Sequence, residues 1–181
     1  RFGGLSGDGK KVLAVSNDSL LFFDAGTWDI ALLHKMKLGY DVFKTVAYYS
    51  GGDKVIASTY RGNIYLVDVQ TGKPEDSFAI DRKYLQQVHM SPDEKKVVAI
   101  TNDHQLMLCD LSSHQKKKLQ RSHESAIKSV QFSYDGKYFV STSDDNTCKL
   151  WESASGNLLV TFFSVDTLDY FTGMPDGYYL A

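Results

Sequence analysis

A near-regular repeat of about 42 residues constrains this chain more than any local motif, because a period of 20 to 50 residues means that one supersecondary unit is copied and stacked. The turn segments Ser6-Gly7-Asp8-Gly9-Lys10, Ser50-Gly51-Gly52-Asp53-Lys54, Ser91-Pro92-Asp93-Glu94-Lys95, Ser133-Tyr134-Asp135-Gly136-Lys137 and Met174-Pro175-Asp176-Gly177 start 44, 41, 42 and 41 residues apart. A second series, Phe23-Asp24, Val67-Asp68, Cys109-Asp110 and Trp151-Glu152, follows the first four turns, and its acidic members lie 44, 42 and 42 apart. Between the two series each unit holds a short apolar run, a polar turn and a second run. In the fourth unit these are Tyr138-Phe139-Val140-Ser141, then Asp144-Asp145-Asn146, then Cys148-Lys149-Leu150-Trp151. Runs of about 4 to 6 residues rich in Val, Ile, Phe and Tyr, set between Asp, Asn and Gly, are strands and hairpin turns and are too short for helices. A further turn, such as Thr71-Gly72-Lys73 or Ser155-Gly156-Asn157, leads to another strand, and a last strand such as Ile127 to Phe132 runs into the next Asp-Gly turn. The unit is therefore four antiparallel strands, and a period of about 40 to 45 residues built that way is the signature of a propeller blade.

The stretch Phe132-Ser133-Tyr134-Asp135-Gly136-Lys137 through Cys148-Lys149-Leu150-Trp151-Glu152 resembles the WD40 repeat. The resemblance is strongest in the fourth unit; in the first three, Phe23, Val67 and Cys109 replace the family's Trp. It implies an all-β chain of WD40-type β-propeller blades, each of four antiparallel strands: about four blades, residues 1–40, 41–82, 83–123 and 124–165, plus part of a fifth over 166–181. A seven-bladed ring at this repeat length needs roughly 290 residues, so the expectation is an incomplete ring cut from a larger propeller. The Met174-Pro175-Asp176-Gly177-Tyr178-Tyr179 wording also resembles late blades of bacterial WD40 proteins that carry a caspase-like peptidase domain.

In the resembled family, positions matching His123, Ser141, Asp145 and Trp151 form a structural hydrogen-bond chain, and a buried chain of that kind holds only when every member is satisfied. A catalytic Ser would instead need an exposed hydroxyl beside an oxyanion hole. Ala99 and Cys109 stand where Ser141 and Trp151 do, while Asp103 keeps the turn acid. Gly4-Leu5-Ser6-Gly7-Asp8-Gly9-Lys10 mimics half of a phosphate-binding loop, but Lys11 occupies the Ser/Thr position and a strand follows where a helix should start. Asn17-Asp18-Ser19 fits a glycosylation acceptor without a secretory signal to give it meaning. The adjacent Asp144 and Asp145 are turn formers, since paired acid–base carboxylates must face one bond across a cleft. The histidines His34, His89, His104, His114 and His123 have no ligand spacing shared with a Cys or carboxylate cluster, so neither a metal nor any other cofactor is expected.

Composition narrows the partner. Twenty Lys and Arg against 22 Asp and Glu give a net charge of −2, and the one basic run is Lys116-Lys117-Lys118. Nucleic acid and anionic membranes, which rest on clustered cations, are disfavoured, as is a small-molecule substrate. No apolar run approaches the roughly 18 residues a membrane span needs. Cys109 and Cys148 are read as buried free thiols, and the expected compartment is the cytoplasm. This segment is not expected to be an enzyme. The expected function is a scaffold or adaptor binding peptides or protein domains on a propeller face, at turns between second and third strands that hold Asn17, Asp18, Tyr60, Arg61, Asn102, His104, Asp144 and Asn146. Tyr60 and Arg61 lead that set because aromatic and Arg residues dominate binding hot spots. The alternative is the non-catalytic, substrate-recruiting part of a larger bacterial enzyme such as a caspase-like peptidase.

Overall fold

The computed structural model describes residues 3–49, 52–80, 84–164, 170–175, 177 and 179–180. The turn residues Ser50, Gly51 and Asp176, and Tyr178, lie outside the described residues. All regular elements among the described residues are strands, and every pairing resolved between them is antiparallel. The first sheet is β1 (Gly3–Leu5), β2 (Lys11–Ser16), β3 (Ser19–Asp24) and β4 (Ile30–Lys35), in that order. The second is β5 (Phe43–Tyr48), β6 (Lys54–Thr59), β7 (Asn63–Asp68) and β8 (Pro74–Ala79). The third is β9 (Leu85–Met90), β10 (Lys96–Thr101), β11 (Leu106–Asp110) and β12 (Lys116–Lys118). The fourth holds β13 (Ile127–Phe132), β14 (Tyr138–Ser143), β15 (Thr147–Glu152) and β16 (Leu158–Ser164). It is extended by β17 (Tyr170–Gly173) and β18 (Tyr179–Leu180), so the closing segment adds to the free edge of β16.

The chain divides into two units, Arg1–Val88 and His89–Ala181, with the division inside β9. In the first unit, Leu13, Val15, Leu20 and Phe22 of the first sheet pack on Phe43, Val46, Val55, Ala57 and Val67 of the second. The opposite face of the first sheet is apolar too, with Val12, Ala14, Leu21 and Phe23 half-buried and Leu5 and Leu33 exposed. In the second unit, Val98, Ile100, Leu106 and Leu108 pack on Val130, Phe132, Phe139 and Trp151. The inner strands β6 and β10 are buried on both faces: consecutive Val55, Ile56 and Ala57 are at most 2% exposed, and Val97 to Ile100 are fully buried. That is why they read as continuous apolar runs, whereas the outer strands β4 and β8 alternate and β12 is exposed throughout.

The two sequence series are two kinds of side-chain-locked turn. In the first, the Ser6 hydroxyl donates to Asp8 at 2.7 Å and accepts the Lys11 amide at 2.9 Å. Ser91 repeats this with Asp93 and Lys96, and Ser133 with Asp135 and Tyr138. In the second, Asp24 accepts the Gly26 and Thr27 amides, Asp68 the Thr71 amide and hydroxyl, and Asp110 the amides and hydroxyls of Ser112 and Ser113. Those donors hold the Asp110 carboxyl down at about 2. Side-chain acceptance of nearby amides is what makes Asp and Ser recur in turns.

Candidate functional site

The fourth sheet carries a buried polar chain. Ser141 sits on β14 and Trp151 on β15, while His123 comes from the segment before β13 and Asp145 from the β14–β15 turn. The Trp151 indole N–H can only donate, and it meets Ser141 Oγ at 2.9 Å. The Ser141 proton therefore goes to His123 Nε2, 2.7 Å away. That leaves the ring proton on His123 Nδ1, which donates to Asp145 Oδ2 at 2.9 Å. Asp145 further accepts the Glu124 amide at 2.9 Å, the Thr147 amide at 3.0 Å and the Thr147 hydroxyl at 2.6 Å. Burial drives the His123 pKa down, more strongly than Asp145 raises it, so the imidazole is neutral at pH 7. Burial alone would raise the Asp145 carboxyl, but the Thr147 hydroxyl, the Glu124 amide and His123 hold it at about 2.

The connectivity is that of a Ser-His-Asp hydrolase triad, yet Ser141 is 0% exposed and its oxygen is taken by the indole. No substrate atom can reach it. The chain ties the segment before the sheet to the second and third strands and the turn between them.

The second sheet makes the same tie with different chemistry. Asp41, 8% exposed and ahead of β5, accepts the Val42 and Arg61 amides at 2.9 and 3.0 Å and the Asn63 side-chain amide at 3.0 Å. Here the acid comes from the connecting segment and the turn supplies the donors. Ala14, Ala57 and Ala99 occupy the register position of Ser141, so the other three sheets have no hydroxyl there.

The eight turn residues singled out from the sequence fall in four turns. Asn17 and Asp18 join β2 to β3, Tyr60 and Arg61 join β6 to β7, Asn102 and His104 join β10 to β11, and Asp144 and Asn146 join β14 to β15. All are exposed except His104, which is half-buried. In the first unit, the segment 36–43 joins two of these turns at one sheet end. Met36 and Phe43 amides donate to Asp18 and Asn17 carbonyls, and the Tyr60 amide donates to the Val42 carbonyl. His104 and Asn146 hold φ of 60° and 61°, where Gly62 has 96°, so their first role is to turn the chain. Asp144 is engaged by Lys128 Nζ at 2.6 Å. Tyr60 differs from all of these. Its ring stacks on Tyr84 with centroids 4.6 Å apart and planes 22° apart, and both rings stay exposed, at 42% and 45%. Arg61, the next residue in the chain after Tyr60, is exposed, and among the described residues no carboxylate pairs with its guanidinium.

Tyr84, Asp41 and Thr147 were not visible from the sequence as members of these clusters. Tyr84 lies outside the turns; Asp41 sits in a connecting segment, where the repeat pattern gives no acid; and Thr147 looks like an ordinary strand residue. Among the described residues no group of three His, Cys, Asp or Glu could hold a metal, and no helix is long and apolar enough to cross a membrane.

Sheets of four antiparallel strands, repeated at a fixed period and packed face to face in pairs, are propeller blades. Comparison with known proteins names the repeat. Residues 114–152 match the family described as WD domain, G-beta repeat. The chain is 27% identical over 116 residues to the WD repeat-containing protein SL1-17 of Schistosoma mansoni, covering 64% of this chain and 38% of that protein. It is 28% identical over 152 residues to the serine-threonine kinase receptor-associated protein of Bos taurus, covering 81% and 43%. With human pre-mRNA-processing factor 17 it shares 28% over 112 residues, covering 60% and 19%. One WD repeat is thus matched in this chain, which spans less than half the length of these relatives. The matches do not support the link to bacterial proteins with an attached caspase-like peptidase.

Proposed function

We propose that this chain is part of a protein-interaction scaffold, that it works without catalysis, and that a partner protein meets it at Tyr60, Tyr84 and Arg61. The observation that carries the reading is the exposed stack of two aromatic rings, with the exposed Arg61 next to Tyr60 in the chain. A fold that buries Phe22, Phe43, Phe139 and Trp151 completely leaves this pair in solvent. Tyr supplies large contact area at low entropic cost, and Tyr and Arg are enriched among the residues that dominate interface energetics. The name of one matched relative, a receptor-associated protein, and that of another, a pre-mRNA-processing factor, are in keeping with assembly roles. The Ser-His-Asp connectivity supports no hydrolase, because its hydroxyl is closed off. The free thiols of Cys109 and Cys148 favour a reducing compartment such as the cytoplasm.

The test compares proteins captured by the parent with those captured by the Tyr60→Ala/Arg61→Ala variant, with the substitution of fully exposed Tyr134 by Ala as a control. The proposal expects partners lost only from the double variant, at an unchanged melting temperature. Equal capture by all three would remove this surface from consideration.

A further inference from the structure

Strands β15, β16 and β17 of the fourth sheet, together with the segment that leads into that sheet, bound a cavity of about 340 Å³. Part of its lining is one row across the three strands: Lys149 on β15 lies opposite Thr161 on β16, which lies opposite Gly173 on β17. Residues paired in this way present their side chains on the same face of a sheet. Gly173 adds no side chain to the row, and a Cβ there would come within 3.2 Å of the Phe163 ring. Glycine therefore keeps the space beside Thr161 open. The next row holds Thr147, Phe163 and Phe171, with the two rings stacked at 4.3 Å. Leu158, Phe163, Met174 and Pro175 make the apolar part of the lining.

The polar part has donors to spare. Thr161 is 7% exposed and lines the cavity, yet among the described residues nothing bonds to its hydroxyl. A buried hydroxyl left without a partner is costly, so whatever fills the cavity has to supply one. An ammonium carries three N–H groups and a guanidinium five. Lys149 uses two of its three, on the Arg121 and Ser122 carbonyls at 2.8 and 2.9 Å. Arg121 uses one of its five, on the Pro175 carbonyl at 2.7 Å. All three acceptors are neutral, and among the described residues neither cation is in an ion pair. Burial pushes the Lys149 pKa below its ordinary value, ahead of the opposing pull of Asp145 and Glu124, so an anion placed against it would favour the ammonium. Glu124 and Asp145 share the lining, and Asp145 is already engaged by His123, the Glu124 amide and both Thr147 donors.

We infer that this cavity receives the C-terminal residue of a partner protein, with its carboxylate against Thr161, Lys149 and Arg121 and an apolar side chain against Leu158, Phe163 and Met174. A carboxylate only accepts hydrogen bonds and is met by three kinds of donor. An apolar group alone would leave the Thr161 hydroxyl unpartnered, and a cation would face two cations. The two carboxylates in the same lining oppose a ligand of higher negative charge, such as a phosphate, and so select a single one. A volume of about 340 Å³ lies at the low end of ligand pockets. A chain terminus carries a carboxylate and a side chain on one carbon, and capture of that carboxylate is a recurring mode of peptide recognition. None of the residues involved belongs to the Tyr60 surface, so each proposal stands or falls alone.

The test titrates this chain with an eight-residue Gly-Ser peptide that ends in Leu with a free carboxylate, labelled with fluorescein at its other end, and reads anisotropy. The inference expects saturable binding that falls at least about tenfold in three comparisons: with the terminus amidated, with Gly in place of the last Leu, and in the Thr161→Val variant. Thr161→Val keeps the side-chain shape and removes a hydroxyl without a described partner, so its melting temperature should not drop. Arg121→Gln should weaken binding as well. If that variant melts lower, because Arg121 also holds the Pro175 carbonyl, the amidated peptide and Thr161→Val still decide the question. Absence of saturable binding by the free-carboxylate peptide overturns the inference. So does equal binding of the amidated peptide, and so does binding by Thr161→Val equal to that of the parent. Tighter binding of octanoate than of the peptide also overturns it, since the ligand would then be a free small carboxylate and not a chain terminus.

Discussion

A single side chain, Trp151, joins the two forms of stabilisation in the fourth sheet. It is fully buried, stacks with Phe139 at 6.0 Å and donates the hydrogen bond that fixes the polarity of the whole Ser141-His123-Asp145 chain. Trp151→Ala removes both and is expected to cost about 3 to 5 kcal/mol, read as a shift of the urea midpoint; an unchanged midpoint would contradict the packing described. The neutral His123 gives a pH dependence of known sign. Its folded pKa is lowered, so between about 6.5, the ordinary value, and the folded value the unfolded chain binds more protons. Stability therefore falls as pH drops below that point. His89, also lowered by burial, acts in the same direction. Melting temperatures from pH 7.5 to 5 should decline less steeply in His123→Asn than in the parent. An identical slope would mean that His123 is not held neutral. His123, Ser141, Asp145 and Trp151 were legible in the sequence because one unit keeps the whole family pattern. Asp41 and Thr147 were not, because the same mechanical tie can be made from the connecting segment or by a strand hydroxyl, and nothing in the period says which.

At the scale of the elements, the strands were legible because their ends are chemically marked. A Ser two residues before an Asp closes one hairpin, and an Asp or Glu followed by hydroxyl residues closes the next. The position after the Asp takes positive φ, 70° at Gly9 and 69° at Gly136, and at Glu94 a side-chain residue accepts 59°. A Cβ at Gly136 would meet nothing nearer than Pro92 Cδ at 3.6 Å, an ordinary contact. The cost of Gly136→Ala is thus conformational, about 1 kcal/mol, measurable by chemical denaturation; a cost several times larger would mean a clash that the geometry lacks. What the sequence could not tell was where the closing segment goes. Its Pro-Asp-Gly wording continues the period, yet β17 lies on the edge of β16, because the choice between starting a sheet and extending one depends on which edge is open.

For the whole molecule, each of the two units is a pair of sheets around its own apolar cluster. Repetition makes the cluster positions readable and leaves the partner-facing ones unreadable. Inner strands must satisfy the same packing in every unit, while turns such as Tyr60-Arg61-Gly62 and Asn102-Asp103-His104 need only the right backbone. Tyr84 illustrates the limit, since only the folded chain brings it onto Tyr60. The central claim is that each period folds as one antiparallel sheet whose inner strands carry the buried core. Residue-resolved amide hydrogen exchange tests it most directly. The account predicts four evenly spaced blocks of slow exchange, over β2–β3, β6–β7, β10–β11 and β14–β15, with faster exchange at the outer-facing amides of β4, β8 and β12. Protection spread without that period, or slowest at Lys116 to Lys118, would contradict it.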